Sequence, residues 1–195
     1  EECRGGRVRR GSDFVALRSR REVIERKRGS PVEITVFESS HGVLEADPRS
    51  TTVTDGLHLC RAYSAHNKGT AESTNALAEL PRAHTVKQAQ DVVRQVAISC
   101  NWVIADREGN IGYQQSGLLP VRRHSGLYPV PGWQAEYGWA GMASSQELSC
   151  LYNPQDGIIA TANDDRNQEG KPLAINLPMG SYRVERIVEL LKERS

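Results

Sequence analysis

Alternation dominates the first third of the chain. In Val32-Glu33-Ile34-Thr35-Val36-Phe37 every second side chain falls on one face, the mark of a half-buried strand, and Asp13-Phe14-Val15-Ala16-Leu17-Arg18 carries the same period. Gly29-Ser30-Pro31 punctuates between them. A third strand is predicted over 57–63, and Asn67-Lys68-Gly69 breaks the pattern before Thr70, a residue suited to cap a helix. There the period changes. Thr85 and Gln88 form a capping-box pair, after which Ala89, Val92, Val93 and Val96 share one helical face. Residues 101–106 and 111–116 flank Arg107-Glu108-Gly109-Asn110 and predict a hairpin. Near the end, Gly180-Ser181 precedes Val184, Ile187, Val188 and Leu191, a spacing that predicts a C-terminal helix packed on a sheet.

Composition narrows the partners. A length of 195 residues suits one domain, so a single domain over 1–195 is expected. No apolar run approaches the ~18 residues of a spanning helix, and no membrane is expected as partner. Lys and Arg total 25 against 24 acids, a net charge of +1, so no global field draws in a polyanion and nucleic acid is not expected as partner. Basic residues do crowd into the first thirty positions, with Phe14 the sole aromatic among them. That excess reads as solvated strand faces and a frayed terminus rather than a phosphate-binding stripe. Cys3, Cys60, Cys100 and Cys150 are spaced too widely for a zinc ribbon, and both disulfides and buried free thiols fit their number.

Obvious chemistry is sparse. His41, His58, His66, His84 and His124 match no metal-ligand spacing and read as turn or surface residues. Asp165, Asn167 and Glu169, followed by Gly170, imitate the start of a calcium loop, but the twelfth place is Asn176 and Pro172 lies inside, so a solvated loop is the stronger reading and calcium a weak one. Gly-rich phosphate loops, GxSxG elbows and HExxH are absent from the sequence. Tyr128-Pro129-Val130-Pro131-Gly132-Trp133, with Trp139, is either a rigid turn or a binding wall.

A family resemblance enters through four blocks in order. Asn101-Trp102-Val103-Ile104-Ala105-Asp106, continuing through Gly109-Asn110-Ile111-Gly112-Tyr113, resembles a hairpin of penicillin acylases. The stretch 118–133, with Arg122-Arg123-His124-Ser125-Gly126 and Pro129-Val130-Pro131-Gly132, resembles their next block. Tyr152-Asn153-Pro154 with Gly157-Ile158-Ile159-Ala160-Thr161-Ala162-Asn163 is similar to "YNP..G.I.TAN", and Tyr182-Arg183-Val184-Glu185-Arg186-Ile187 to "YR..RI". The likeness is strongest over 99–195. Val43 stands where the family usually has proline, and Asp164 where a second asparagine commonly follows the first.

The resemblance implies an α/β (α+β) fold, part of an αββα sandwich of the N-terminal nucleophile hydrolase type, mostly antiparallel sheet with packed helices. It implies a precursor that cuts itself to expose an N-terminal serine, whose own α-amine serves as base. It further implies a penicillin amidase-type amide hydrolase, periplasmic or secreted, acting on a small-molecule amide without a cofactor, calcium in the full-length parent being the weak exception. By position in the motifs, Asn163 matches the oxyanion asparagine and Arg183 the arginine that orients it. Tyr113, Trp133 and Trp139 read as packing. Residue 1 is glutamate and no nucleophile block is present, so the chain reads as an internal to C-terminal-side fragment, inactive alone, whose partner is the remainder of the parent with its serine segment. The acyl group is open between penicillin, cephalosporin and acyl-homoserine lactone. A noncatalytic binding or scaffold domain that keeps the fold is the alternative.

Overall fold

The computed structural model describes residues 1–65, 69–167 and 179–193. The chain divides into two compact units, the first made of Glu1–His66 with Arg122–Trp139, the second of Asn67–Val121 with Ala140–Ser195.

The first unit is built on strands β1 (Glu2–Arg4), β2 (Arg7–Arg10), β3 (Asp13–Ala16), β4 (Arg18–Ile24), β5 (Val32–Glu38), β6 (Val43–Leu44), β7 (Gly56–Leu57) and β8 (Cys60–Arg61). They form two antiparallel sheets, ordered β3-β2-β1-β7 and β4-β5-β6-β8. One apolar core forms from Cys3, Val8, Phe37, Leu44 and Val53, and from β5 it takes Phe37 rather than the alternate Val32, Ile34 and Val36, which stay half-buried on the other face, so the alternation over 32–37 forms its strand without marking the face that fills the core. The arginine-rich faces turn outward and pair with acids, as Arg21 does with Glu33 on the facing strand. The strand predicted over 57–63 is instead two residue pairs, β7 and β8, which belong to different sheets. Between β5 and β6 the chain reverses at Gly42, whose φ of +151° and whose approach to the Arg61 carbonyl, 2.1 Å from where a Cβ would sit, leave room only for glycine.

The second unit opens with α1 (Thr70–Glu79) and α2 (Val86–Val93) and continues through β9 (Cys100–Ala105), β10 (Ile111–Ser116), β11 (Pro120–Val121), β12 (Gly141–Met142), β13 (Cys150–Tyr152) and α3 (Tyr182–Lys192). Thr70 is the first helical residue rather than the cap; Gly69, with φ of +70°, takes that place, and its carbonyl receives the Ser73 amide. At α2 the predicted capping box is present, with Gln88 N–H donating to Thr85 Oγ1. β10 runs down the middle of an antiparallel sheet ordered β13-β10-β9. The hairpin turn is organised by Asp106, whose Oδ1 accepts the amides of Glu108 and Asn110, at 3.0 and 2.9 Å, while Oδ2 accepts Val86 N–H at the start of α2. Slight desolvation opposes these donors, yet they hold the Asp106 carboxyl below the ordinary aspartate range.

Helix α2 lies directly on this sheet, Val86, Ala89 and Val93 being buried together with Tyr113 of β10. Contact is so close at Gly112 that a Cβ there would stand 2.3 Å from Val86 Cγ1. Gln90 crosses the same interface, its Nε2 donating to the carbonyls of Tyr113 and Leu151 at 2.9 and 2.8 Å. The α3 expectation needs correction. The helix forms where its apolar period predicts, but none of its residues is buried, and Ile187 and Leu190 are exposed rather than seated on a sheet. Periodicity reports that a face is apolar and carries no information on what covers it.

Candidate active site

Asn163 occupies a turn. The apolar, β-branched run over 158–162 forms no strand in the structure, because its backbone groups are taken by side chains. Arg166 donates to the Ala160 carbonyl, Arg183 to the Ala162 carbonyl, and Asp164 Oδ1 accepts the Ala162 amide at 2.8 Å. Ser149 Oγ ties the following residue down by donating to the Arg166 carbonyl at 2.7 Å. Asn163 sits at the apex with φ of +63°, a left-handed conformation that asparagine tolerates better than most residues with a Cβ. Its carbonyl accepts the Met179 amide at 2.7 Å. The residue is exposed, and among the described residues its side chain makes no hydrogen bond.

Arg183, at the start of α3, therefore reaches the residue before Asn163 rather than the asparagine amide. Both arginines grip carbonyls on the N-terminal side of the turn. Their planar, multi-donor heads suit this, since each carbonyl lacks a ladder partner and would otherwise go unmet.

The calcium candidates are not gathered. Asp165 Oδ1 accepts the Asn167 amide at 2.9 Å, closing the loop on itself, and Glu169 lies outside the described residues. Among the described residues no group of three or more His, Cys, Asp or Glu could hold a metal ion. All four cysteines are free thiols, Cys3 buried and Cys100 and Cys150 exposed.

A second polar constellation lies in the first unit, and no sequence motif marks it. The Glu1 carboxylate, 1% exposed, accepts two bonds from Arg10 at 2.8 and 2.9 Å and one from Ser39 Oγ at 2.7 Å, with His41 Nδ1 at 3.0 Å. Burial alone would raise its pKa, but the bonds to His41, Arg10 and Ser39 and the Arg10 charge overcome this and hold it far below the usual carboxylate range. Serine, histidine and glutamate are the residue types of a nucleophile set. The wiring is wrong, however, because Ser39 gives its proton to the carboxylate and not to the imidazole, so no base activates the hydroxyl. Gly132 seals it, since a Cβ there would fall 2.6 Å from Glu1 Oε2. The constellation is a brace between β1, β2 and the β5–β6 turn. Of the packing aromatics, Tyr113 is fully buried and Trp133 lies under the Arg9 guanidinium at 5.7 Å.

Known proteins share this arrangement of chain. The penicillin amidase family model matches residues 1–195. An acyl-homoserine lactone acylase, QuiP, of Pseudomonas syringae pv. tomato is 36% identical over 191 residues, covering 95% of this chain and 23% of its own. Penicillin acylase 2 proenzyme of Pseudomonas sp. SE83 is 32% identical, covering 96% of this chain and 24% of its own. Penicillin G acylase of Escherichia coli is 30% identical, covering 93% and 21%. The thermostable penicillin G acylase of Alcaligenes faecalis has the same fold, with a TM-score of 0.80 at 22% identity over 97% of this chain and 34% of that one. The chain thus spans about a quarter of the length of these acylases or less by sequence. With the whole sequence covered by one family model and its α+β antiparallel architecture shared with a solved acylase, the chain belongs to the penicillin amidase family.

Proposed function

We propose that the chain is the part of an amide-hydrolysing acylase that supplies Asn163 as an oxyanion donor. The uncommitted Asn163 amide, presented by a left-handed turn whose neighbours are all tied down, carries this reading. The remainder of the parent provides the nucleophile, a serine at a newly exposed N-terminus whose α-amine takes the hydroxyl proton. Attack on the amide carbonyl forms a tetrahedral oxyanion, and the Asn163 NH₂ donates to it. Collapse breaks the C–N bond, the α-ammonium proton leaves with the amine, and water releases the acid by the reverse sequence. A donor already in place costs no reorganisation when charge develops, and each is typically worth ~3 kcal/mol. Arg183 acts indirectly, by fixing the Ala162 carbonyl and with it the turn.

Substrates come from the two classes for which the relatives are named, acyl-homoserine lactones and penicillins, with cephalosporin acyl groups as a further option. Lacking the nucleophile, the isolated chain turns over neither. Single-turnover acylation by the matured parent tests the assignment: Asn163→Ala lowers the rate by roughly 10²–10³ with KM within a few-fold. An unchanged rate would remove Asn163 from the chemistry and leave the scaffold reading. Turnover of a phenylacetyl anilide by the purified chain, abolished by Asn163→Ala, would overturn its inactivity.

A further inference from the structure

The geometry points to Arg166 and Asp164 as positioning residues that hold the Asn163 turn in register, an inference that rests on the oxyanion reading above. Arg166 is rooted in the core of the second unit. Its side chain is 9% exposed and its guanidinium lies 4.7 Å from the ring centroid of Tyr113. Tyr113 is itself immobilised, since its hydroxyl donates to Asn101 Oδ1 at 2.7 Å on the paired strand β9 and its carbonyl receives Gln90 from helix α2. From this anchor the guanidinium reaches both sides of the asparagine. One nitrogen donates to the Ala160 carbonyl, and Nε stands 3.5 Å from Asp164 Oδ2. The other oxygen of Asp164 accepts the Ala162 amide at 2.8 Å, which closes the turn across Asn163.

This bracing has a purpose that packing does not require. A non-glycine residue in the left-handed region is strained and persists only where its surroundings over-determine it. Released from Arg166, the backbone relaxes toward ordinary φ and carries the exposed amide away from the oxyanion position. A misplacement near 1 Å is enough to cost about 10² in rate. Lysine at 166 could keep one contact but not the fork or the stacking on Tyr113. Asparagine at 164 could still accept the Ala162 amide but would lose the charge that faces Arg166.

The test uses the matured full-length parent with the better of an N-acyl-homoserine lactone or a penicillin, and reports kcat per titrated active site. Arg166→Lys lowers kcat by about 10–100-fold with KM within about threefold, and Asp164→Asn by about 3–10-fold. In an Asn163→Gly background neither change lowers kcat further, because no amide remains to be positioned. A kcat within twofold of the parent for both variants overturns the proposal, as does a loss that multiplies in full with that of Asn163→Gly, which is what a merely structural role predicts. A costly Asn163→Gly beside harmless Arg166→Lys and Asp164→Asn sinks the positioning role alone. A harmless Asn163→Gly sinks the oxyanion reading and this inference together. Should Arg166→Lys fail to mature, the Asp164→Asn cycle decides by the same criteria.

Discussion

Asn153 and Asn163 are the two non-glycine residues with positive φ among the described residues, at +45° and +63°, and they use that conformation to opposite ends. Asn153 spends its whole side chain on the fold. Its Oδ1 accepts the Ile111 amide and its Nδ2 donates to Asn110 Oδ1, both at 2.8 Å, welding the β13 end to the hairpin turn. Asn163 spends none, and its neighbours 160, 162, 164 and 166 do the holding instead. The Glu1 constellation resembles Asn153 in this respect, since its carboxylate is committed to Arg10, Ser39 and His41. A reactive-looking residue type is therefore a poor guide. What separates a site from a brace is whether a donor is held in place yet left without a partner.

The sharpest way to break that contrast is Asn163→Gly, which keeps the backbone conformation and removes only the amide. The matured parent should lose roughly 10²–10³ in kcat, equivalent to about 3–4 kcal/mol, with an unfolding midpoint at or above that of the parent. A loss of stability without loss of rate would place Asn163 beside Asn153. Next in size is Glu1→Gln, expected to destabilise by about 1–3 kcal/mol at neutral pH because Arg10 and His41 lose a charged acceptor. Its pH dependence has a definite sign. The folded carboxyl lies below its ordinary value of 4.5, so its stabilisation is complete above that pH and fades as the pH falls beneath it, the unfolded chain taking up the proton first. Denaturant midpoints of the two forms should differ at pH 7 and converge toward pH 3; parallel curves would show that Glu1 is not the group responsible.

Arg183→Lys comes third, with kcat about tenfold lower, since lysine retains the charge but not the planar head that grips the Ala162 carbonyl. Near-normal single-turnover rates would mean that charge alone suffices. The smallest effect is expected for Asn153→Ala, about 1 kcal/mol of stability from lost hydrogen bonds and left-handed strain, with kcat per active site unchanged. Any rate change there would blur the comparison on which the assignment stands.

Local rules were readable and long-range ones were not. The capping box at Thr85 and Gln88 and the hairpin around Asp106 and Gly109 depend on neighbours a few positions apart, and both are present. So is strand β5, which the alternation over 32–37 predicts, although the side chain it sends into the core is Phe37 from the opposite face. Over 158–162, β-branching and apolarity argue for a strand, yet Arg166 and Arg183 take the carbonyls that a ladder would need. Sequence periodicity cannot register a competitor for backbone bonds that arrives from α3. Asn163 is legible only through the resemblance of its motif, whereas Arg166 lies within a stretch whose spacing suggests a solvated or calcium-like loop. Its burial against Tyr113, which marks it as structural and poised, is a tertiary fact.

The placement of the four thiols gives the molecule a built-in clock. Cys100 and Cys150 are exposed on strands either side of β10, whereas Cys3 is sealed in the core of the first unit with half-buried Cys60 packed against it, and burial raises the pKa of both, suppressing thiolate as well as access. A thiol reagent will consume the first two quickly, reach Cys60 more slowly, and must wait for that core to breathe before reaching Cys3, the slowest. The slowest phase of such a labelling trace measures how often the first unit opens, and because Glu1 braces the same strands, Glu1→Gln should quicken it while leaving the fast phase unmoved.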